Sequence, residues 1–345
     1  MDTISEVLGC VRLTGAVFFT ALVQAPWAVA SPGPDELARI LGIRRDCTVL
    51  FHLVVDGGCW VSLDGIAPLR IEAGAIVILP RGREHRMMST VGMTPVQLAA
   101  VLRTVDRAGT LRVMRRGAAN GAFTRLVCGY LQRDQRADPL SGALPPLIVV
   151  EPFRRRASFV PGGDEHTAER AEFAQDSYDR LARTFTNMVD EAQAERPGCR
   201  IMLARLAELM YIDVLRGCID ALSPRYGGWL GAVRDPQIGR ALGLMHAQPE
   251  YKWTVTSLGR ATGVSRSTLG GRFRAMVGEA PMQYLTYWRM QLAMQLLREP
   301  RLSIAQVAAR VGYGSAVAFH RAFKRQLGAT PAEWRRRLRG SVPPQ

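Results

Sequence analysis

The sequence predicts an α+β multidomain protein: a β-rich N-terminal domain, a helical region, and an all-α C-terminal domain. Three observations lead there. Residues 48–80 alternate short β-branched and aromatic runs with Asp-Gly, Gly-Gly and other Gly-containing turns, the signature of closely spaced hairpins in a sandwich or barrel. Residues 176–222 carry apolar side chains at three- and four-residue steps, the helical period. The last third contains an ordered internal repeat, which points to a duplicated structural unit.

Length and charge set the bounds. The chain has 345 residues, 48% of them hydrophobic, enough for two or three cores. Its formal net charge is +15, and residues 234–339 alone hold 18 Lys+Arg against 5 Asp+Glu, leaving 27 basic and 25 acidic residues elsewhere. A near-neutral front and a strongly cationic rear point to a polyanion-binding module fused to a module with another task. The basic residues are Arg except Lys252 and Lys324, and the guanidinium fork suits phosphate and guanine.

The six cysteines (Cys10, Cys47, Cys59, Cys128, Cys199, Cys218) form no CxxC pair. This argues against a metal finger or a dense disulfide framework and for reduced thiols in the cytoplasm. Residues 11–31 mimic a secretory signal, with an apolar run and an Ala-x-Ala-like end. However, Asp2 and Glu6 precede the run, and Thr14, Thr20 and Gln24 interrupt it, so it reads as a pair of buried strands. No later segment reaches the roughly 18 uninterrupted apolar residues of a membrane span.

The domain boundaries follow. Residues 1–153 read as the β domain and 154–175, rich in charge, Pro and Gly, as a linker. Residues 176–225 read as two helices parted at Arg196–Gly198, with Leu181, Phe185, Met188 and Val189 and then Leu206, Leu209, Ile212, Leu215 and Ile219 on the apolar side. Such a stripe fits an internal cover for the β domain or a dimer seam. Residues 230–340 form the all-α domain.

Within it, Leu258, Gly263 and Val264 recur 49 residues later as Val307, Gly312 and Tyr313. Leu269, Phe273, Gly278, Pro281 and Tyr284 recur 50 residues later as Phe319, Phe323, Gly328, Pro331 and Trp334. Each repeat opens on a capping hydroxyl (Thr254, Ser303), runs through a short helix to a Gly (Gly263, Gly312), and continues into a second helix. Gly there permits positive φ, so two helices can meet steeply. Leu269, Phe273 and Met276, matched by Phe319, Phe323 and Leu327, face inward. Arg266, Thr268, Arg274, His320, Arg321 and Lys324 face outward. This is the plan of two helix-turn-helix units, in which the second helix enters the major groove. Residues 282–299 join them as a long helix with Leu285, Trp288, Leu292 and Leu296 on one face.

Residues 236–339 resemble the DNA-binding domain of AraC/XylS-type bacterial transcription regulators throughout "WTVTSLGRATGVSRSTL", "RFRAMVGEAPMQYLTYWRMQLAMQLL" and "LSIAQVAARVGYGSAVAFHRAFKRQLGATPAEWR". The resemblance implies base contacts from Ser267, Gly270 and Gly271 in the first unit and from Ala316, Val317, His320 and Arg321 in the second. One departure stands out: Gly270 and Gly271 offer no side chain to a base edge. The first unit is therefore expected to hold phosphates through Arg266, Thr268 and Arg274, and the second to read more of the sequence.

The front domain resembles a small cupin barrel. "GAIVILPRGREHRMMS" (74–89) carries the second cupin motif in Gly74, Pro80, Gly82 and His85, with Ser89 where the motif has Asn. His52 lies where the first motif begins, but Val54 replaces its partner His and no suitable Glu follows. Catalytic cupins need several His and a carboxylate together, so no metal or other cofactor is expected. An apolar-walled barrel suits a small effector, with His52, Trp60 and His85 as lining candidates. The implied protein is a sequence-specific regulator, an activator by family habit. Its partners would be promoter DNA, RNA polymerase, an effector and a second copy in a homodimer. It would work in the cytoplasm, nucleoid-associated when bound to DNA, and away from membranes. The alternative is a metal-dependent cupin enzyme with a DNA-tethering domain.

Overall fold

The computed structural model describes residues 13–41, 48–103, 113–116, 121–133, 144–160, 169–194, 196–221 and 228–340. The chain divides at residues 223/224 into an N-terminal and a C-terminal unit.

Among the described residues the N-terminal unit has thirteen strands: β1 (Leu13–Gln24), β2 (Ala28–Ser31), β3 (Thr48–Asp56), β4 (Gly58–Ser62), β5 (Leu69–Glu72), β6 (Ile76–Leu79), β7 (His85–Met88), β8 (Val96–Gln97), β9 (Val113–Arg116), β10 (Phe123–Arg133), β11 (Leu147–Glu151), β12 (Arg156–Val160) and β13 (Glu169–Ala171). Eight make a sheet in the order β13-β12-β11-β6-β3-β10-β1-β9, and five make a second in the order β5-β4-β7-β2-β8. The expected barrel is therefore corrected to two open sheets among the described residues. The larger sheet ends at β13 and β9, and no ladder joins those edges to the other sheet. Instead a single apolar cluster unites them, with Ala21, Val23, Leu50 and Val54 from one and Cys59, Val61, Ile71 and Met87 from the other. Short helices α1 (Pro34–Leu41) and α2 (Leu98–Arg103) add Leu37, Leu98 and Val101 to it.

The expected linker 154–175 needs a second correction. Ala157, Phe159 and Val160 are buried, because β12 pairs antiparallel with both β11 and β13. Residues 161–168 of that expected linker lie outside the described residues.

Helices α3 (Gln175–Ala194) and α4 (Cys199–Ala221) pack on each other, and α4 lies against β1 and β10. Strands β3 and β11 are buried along almost their whole length. The buried side of α4 is Leu203, Ala207, Met210, Val214 and Cys218. Of the stripe expected from sequence, Leu215 and Ile219 are buried, Leu206 and Ile212 are half-buried, and Leu209 is 55% exposed. No helix among the described residues is long and apolar enough to cross a membrane.

The C-terminal unit contains α5 (Trp229–Arg234), α6 (Ile238–Ala247), α7 (Val255–Thr262), α8 (Arg266–Val277), α9 (Pro281–Leu296), α10 (Ile304–Arg310), α11 (Ala316–Leu327) and α12 (Pro331–Gly340). Turn chemistry accounts for the repeat. Thr254 caps α7 and Ser303 caps α10, each with a reciprocal bond from the third residue, Ser257 or Gln306. This capping-box pattern satisfies two of the four unpaired N–H groups at a helix start. Gly263 and Gly312 have φ of 75° and 82°, conformations that would strain other residues. Ser265 and Ser315 then start α8 and α11. Leu258, Leu269 and Phe273 in the first pair, and Val307, Phe319 and Phe323 in the second, are fully buried.

Gly270 and Gly271 are the anomaly: both sit inside α8, and a Cβ added to either meets nothing within 4 Å. They are not needed for packing, so they cost helix stability without structural return. Gly271→Ala should raise the unfolding free energy of the C-terminal unit by about 0.5–1 kcal/mol, measured by urea denaturation. A destabilised variant would mean that the glycine answers a constraint of the fold.

Candidate effector cavity and nucleic-acid interface

In a pleated strand alternate residues share a face. Between the two sheets that alternation builds a cavity from Ala21 and Val23 of β1, Trp27, Val29 and Ser31 on and before β2, Leu50 and His52 of β3, His85 and Met87 of β7, and Leu126 and Cys128 of β10, with Leu98 from α2.

His52 and His85 meet here from opposite sheets, with Nε2 atoms 2.9 Å apart. The proton positions follow by elimination. The Arg83 carbonyl, 2.9 Å from His85 Nδ1, can only accept, so Nδ1 carries the hydrogen. His85 Nε2 then accepts from His52 Nε2–H. That leaves His52 Nδ1 to accept from the Cys128 thiol at 3.0 Å. The result is a satisfied, neutral chain. Burial holds the His52 imidazole well below its ordinary pKa and lowers His85 to about 4. Burial also pushes the Cys128 thiol up, so the thiolate is disfavoured.

Trp60 is corrected. Cys59 and Val61 point into the core, so Trp60 points away from it. The Arg70 guanidinium lies 5.8 Å from its ring centroid. The aromatic wall is Trp27, and a signal for it exists in the sequence: Trp27, Val29 and Ser31 are spaced two apart. Ser89, in the place of the motif's Asn, fixes Trp27 by accepting from its N–H at 3.0 Å.

The donor set does not fit a catalytic cupin metal. The two Nε2 atoms face each other, Cys128 lies on the Nδ1 side of His52, and no carboxylate lines the cavity. Among the described residues no three His, Cys, Asp or Glu side chains converge as a metal site.

In the C-terminal unit α8 and α11 turn their polar faces to solvent. Arg266, Ser267, Thr268, Gly271 and Arg274 are exposed and Gly270 is half-buried. Ala316, Val317, Arg321 and Lys324 are exposed and His320 is half-buried. The helix starts differ. Ser265, Ser267 and Thr268 share a hydroxyl cluster with contacts of 2.8–3.0 Å, which occupies part of their hydrogen-bonding capacity. The start of α11 instead presents Val317, 63% exposed. Sequence reasoning missed Arg272, which bonds to Asp235 and Gln237 and ties α8 to the start of α6. The Asp235 carboxylate also accepts from the N–H groups of Gln237 and Ile238.

Comparison with known proteins agrees with this division. A Cupin family model matches residues 2–220, and a helix-turn-helix domain model matches residues 258–337. An AraC-like transcription regulator of Streptomyces antibioticus is 30% identical over 338 residues, covering 97% of this chain and 99% of its own. The chain belongs to the AraC family of transcription regulators. This AraC-family protein is thus a DNA-binding regulator of transcription, with a cupin-like N-terminal domain. The HTH-type transcriptional regulator AlkR of Acinetobacter baylyi is 27% identical over 97% of this chain and 99% of its own. Among solved structures, the DNA-binding domain of AdpA in complex with a target DNA is 34% identical, covering 32% of this chain and 99% of its own, with a TM-score of 0.30.

The histidine chain makes stability depend on pH. Both imidazoles have folded-state pKa values below the free value of 6.5, so the unfolded chain takes up protons first as pH falls. Their contribution is complete above about pH 6.5 and is lost progressively toward pH 4. Scanning calorimetry at pH 7.5, 6, 5 and 4 should show the N-terminal transition falling throughout this window. An invariant midpoint would contradict the neutral buried pair.

Proposed function

We propose that the protein is a one-component regulator, an activator, that binds a small effector in its N-terminal cavity and reads promoter DNA with two helix-turn-helix units. In this reading α8 and α11 enter successive major grooves on one DNA face, roughly 34 Å apart. The solvent-facing residues of α11 carry the proposal. Arg321 and Lys324 supply a guanine-seeking fork and a phosphate contact, His320 a polar contact, and Ala316 and Val317 apolar surface for thymine methyls. In α8, Arg266 and Arg274 hold phosphates, Ser267 and Thr268 add polar contacts, and Gly270 and Gly271 allow the backbone close to the DNA. The effector acts by binding two arrangements of the DNA-binding unit with different affinity. RNA polymerase is the expected partner at the promoter, and the protein works in the cytoplasm, nucleoid-associated when on DNA.

Dimerisation fits the outer side of α4. Ile201, Met202 and Leu209 are 71%, 52% and 55% exposed, and an apolar stripe on one helix can pair with its own copy about a two-fold axis.

Two measurements test this. Using fluorescence anisotropy with DNA selected by the protein from a random pool, log K should fall steeply and linearly with log[salt]. Arg321→Ala should lose about 1–3 kcal/mol of discrimination at one base pair, whereas Arg274→Ala should weaken all sequences alike. Unchanged discrimination in Arg321→Ala would refute the assignment of reading to α11. In sedimentation, Leu209→Glu should convert the dimer to monomer, and a dimer that persists would place the seam elsewhere.

A further inference from the structure

The cavity between the sheets also indicates which class of molecule it takes, an inference that rests on the effector-binding reading above. Its walls hold no Lys, Arg, Asp or Glu. The polar groups His52, His85 and Cys128 satisfy one another, in a chain that ends on the Arg83 carbonyl, and Ser31 adds a hydroxyl to the wall. Trp27 is different. It is 4% exposed and forms part of the wall, yet its indole Nε1 has no hydrogen-bond partner among the described residues. Leaving such a buried donor unmet is unfavourable. Its backbone is also held: besides the bond to its N–H, the Ser89 N–H donates to the Trp27 carbonyl at 2.8 Å.

What the Trp27 indole lacks is thus a hydrogen-bond acceptor, and what the cavity cannot accommodate is charge. Burial keeps both histidines neutral and the thiol protonated, so no wall offers a counter-ion. A buried carboxylate or ammonium would lose its water without compensation.

We propose that the cavity binds a small, uncharged, largely apolar molecule with one carbonyl-type acceptor. The acceptor takes the Trp27 indole N–H, and the hydrocarbon part lies against Val23, Leu50, Met87 and Leu126.

The test uses the full chain with ¹⁵N-labelled tryptophan, which reports six indole signals. Three probes are titrated: cyclopentanone, methylenecyclopentane (the same shape without an acceptor) and cyclopentanecarboxylate. Cyclopentanone should saturably shift the signal that Trp27→Phe removes. Methylenecyclopentane should bind about tenfold more weakly, the worth of one net hydrogen bond, and the carboxylate should not bind. Trp27→Phe should bring the ketone down to the affinity of the hydrocarbon. Should that variant not fold, the comparison of ketone with hydrocarbon on the unaltered chain still decides.

Equal affinity for ketone and hydrocarbon, binding of the carboxylate as tight as the ketone, shifts confined to other tryptophans, or no binding at all would each overturn the proposal. DNA affinity of the same preparation separates the two levels. Salt-dependent DNA binding with a failed titration removes the ligand class and leaves the regulator standing. Loss of DNA binding removes the regulator reading itself.

Discussion

The C-terminal unit depends on one helix being buried on both flanks. Helix α9 has 16 residues, about 24 Å at 1.5 Å per residue, and each half belongs to a different core. In its first half the Tyr284 hydroxyl accepts from Trp229 Nε1 at 2.9 Å and meets His246 Nε2 at 2.8 Å. The Trp288 ring stacks on His246 at 3.9 Å, and Phe273 of α8 meets the Tyr284 ring edge-on. In its second half Met290, Ala293 and Met294, with Leu297 just past its end, pack with Val307, Phe319 and Phe323. Close-packed interiors leave little freedom for sliding, so the separation of α8 and α11 is set by α9 and not by a flexible tether.

That constraint gives the outward residues their meaning. A reading helix must present side chains at fixed positions, and here the positions are fixed from behind by Leu269 and Phe273 in one helix and Phe319 and Phe323 in the other. With the scaffold duplicated, the two outward faces are free to differ. One carries paired glycines and a self-bonded hydroxyl cluster, the other Val317, His320, Arg321 and Lys324. In the N-terminal unit the analogous constraint is the imidazole pair that joins the two sheets. It lines the cavity with neutral, mutually satisfied groups, and the Trp27 indole N–H stays unmet.

What was legible in the sequence was mostly local. The repeat could be read because caps and left-handed glycines act within a few residues: Thr254, Gly263, Ser303 and Gly312 behave as their chemistry dictates. His52 and His85 were also legible, through the second cupin motif and the remnant of the first. Long-range decisions were not legible. Barrel closure depends on which distant edges pair, and the two sheets stay open. Strand β12 looked like linker because Arg154, Arg155 and Arg156 mask the inward Ala157 and Phe159. Helix α4 is apolar around much of its circumference, so only its contact with β1 selects Leu203 and Met210 over Leu209 as the buried side. Trp60 was expected in the lining, but strand alternation turns it outward, because its neighbours Cys59 and Val61 point inward.

The central claim is that the two helices divide their labour, α11 reading bases and α8 holding the backbone. Guanine methylation interference on a selected DNA site, combined with ethylation interference of the phosphates, tests it most directly. The account predicts phosphate interference over two neighbouring turns on one face of the duplex. Base interference should concentrate in the major groove under α11. Base interference equal in both grooves, or stronger under α8, would contradict it.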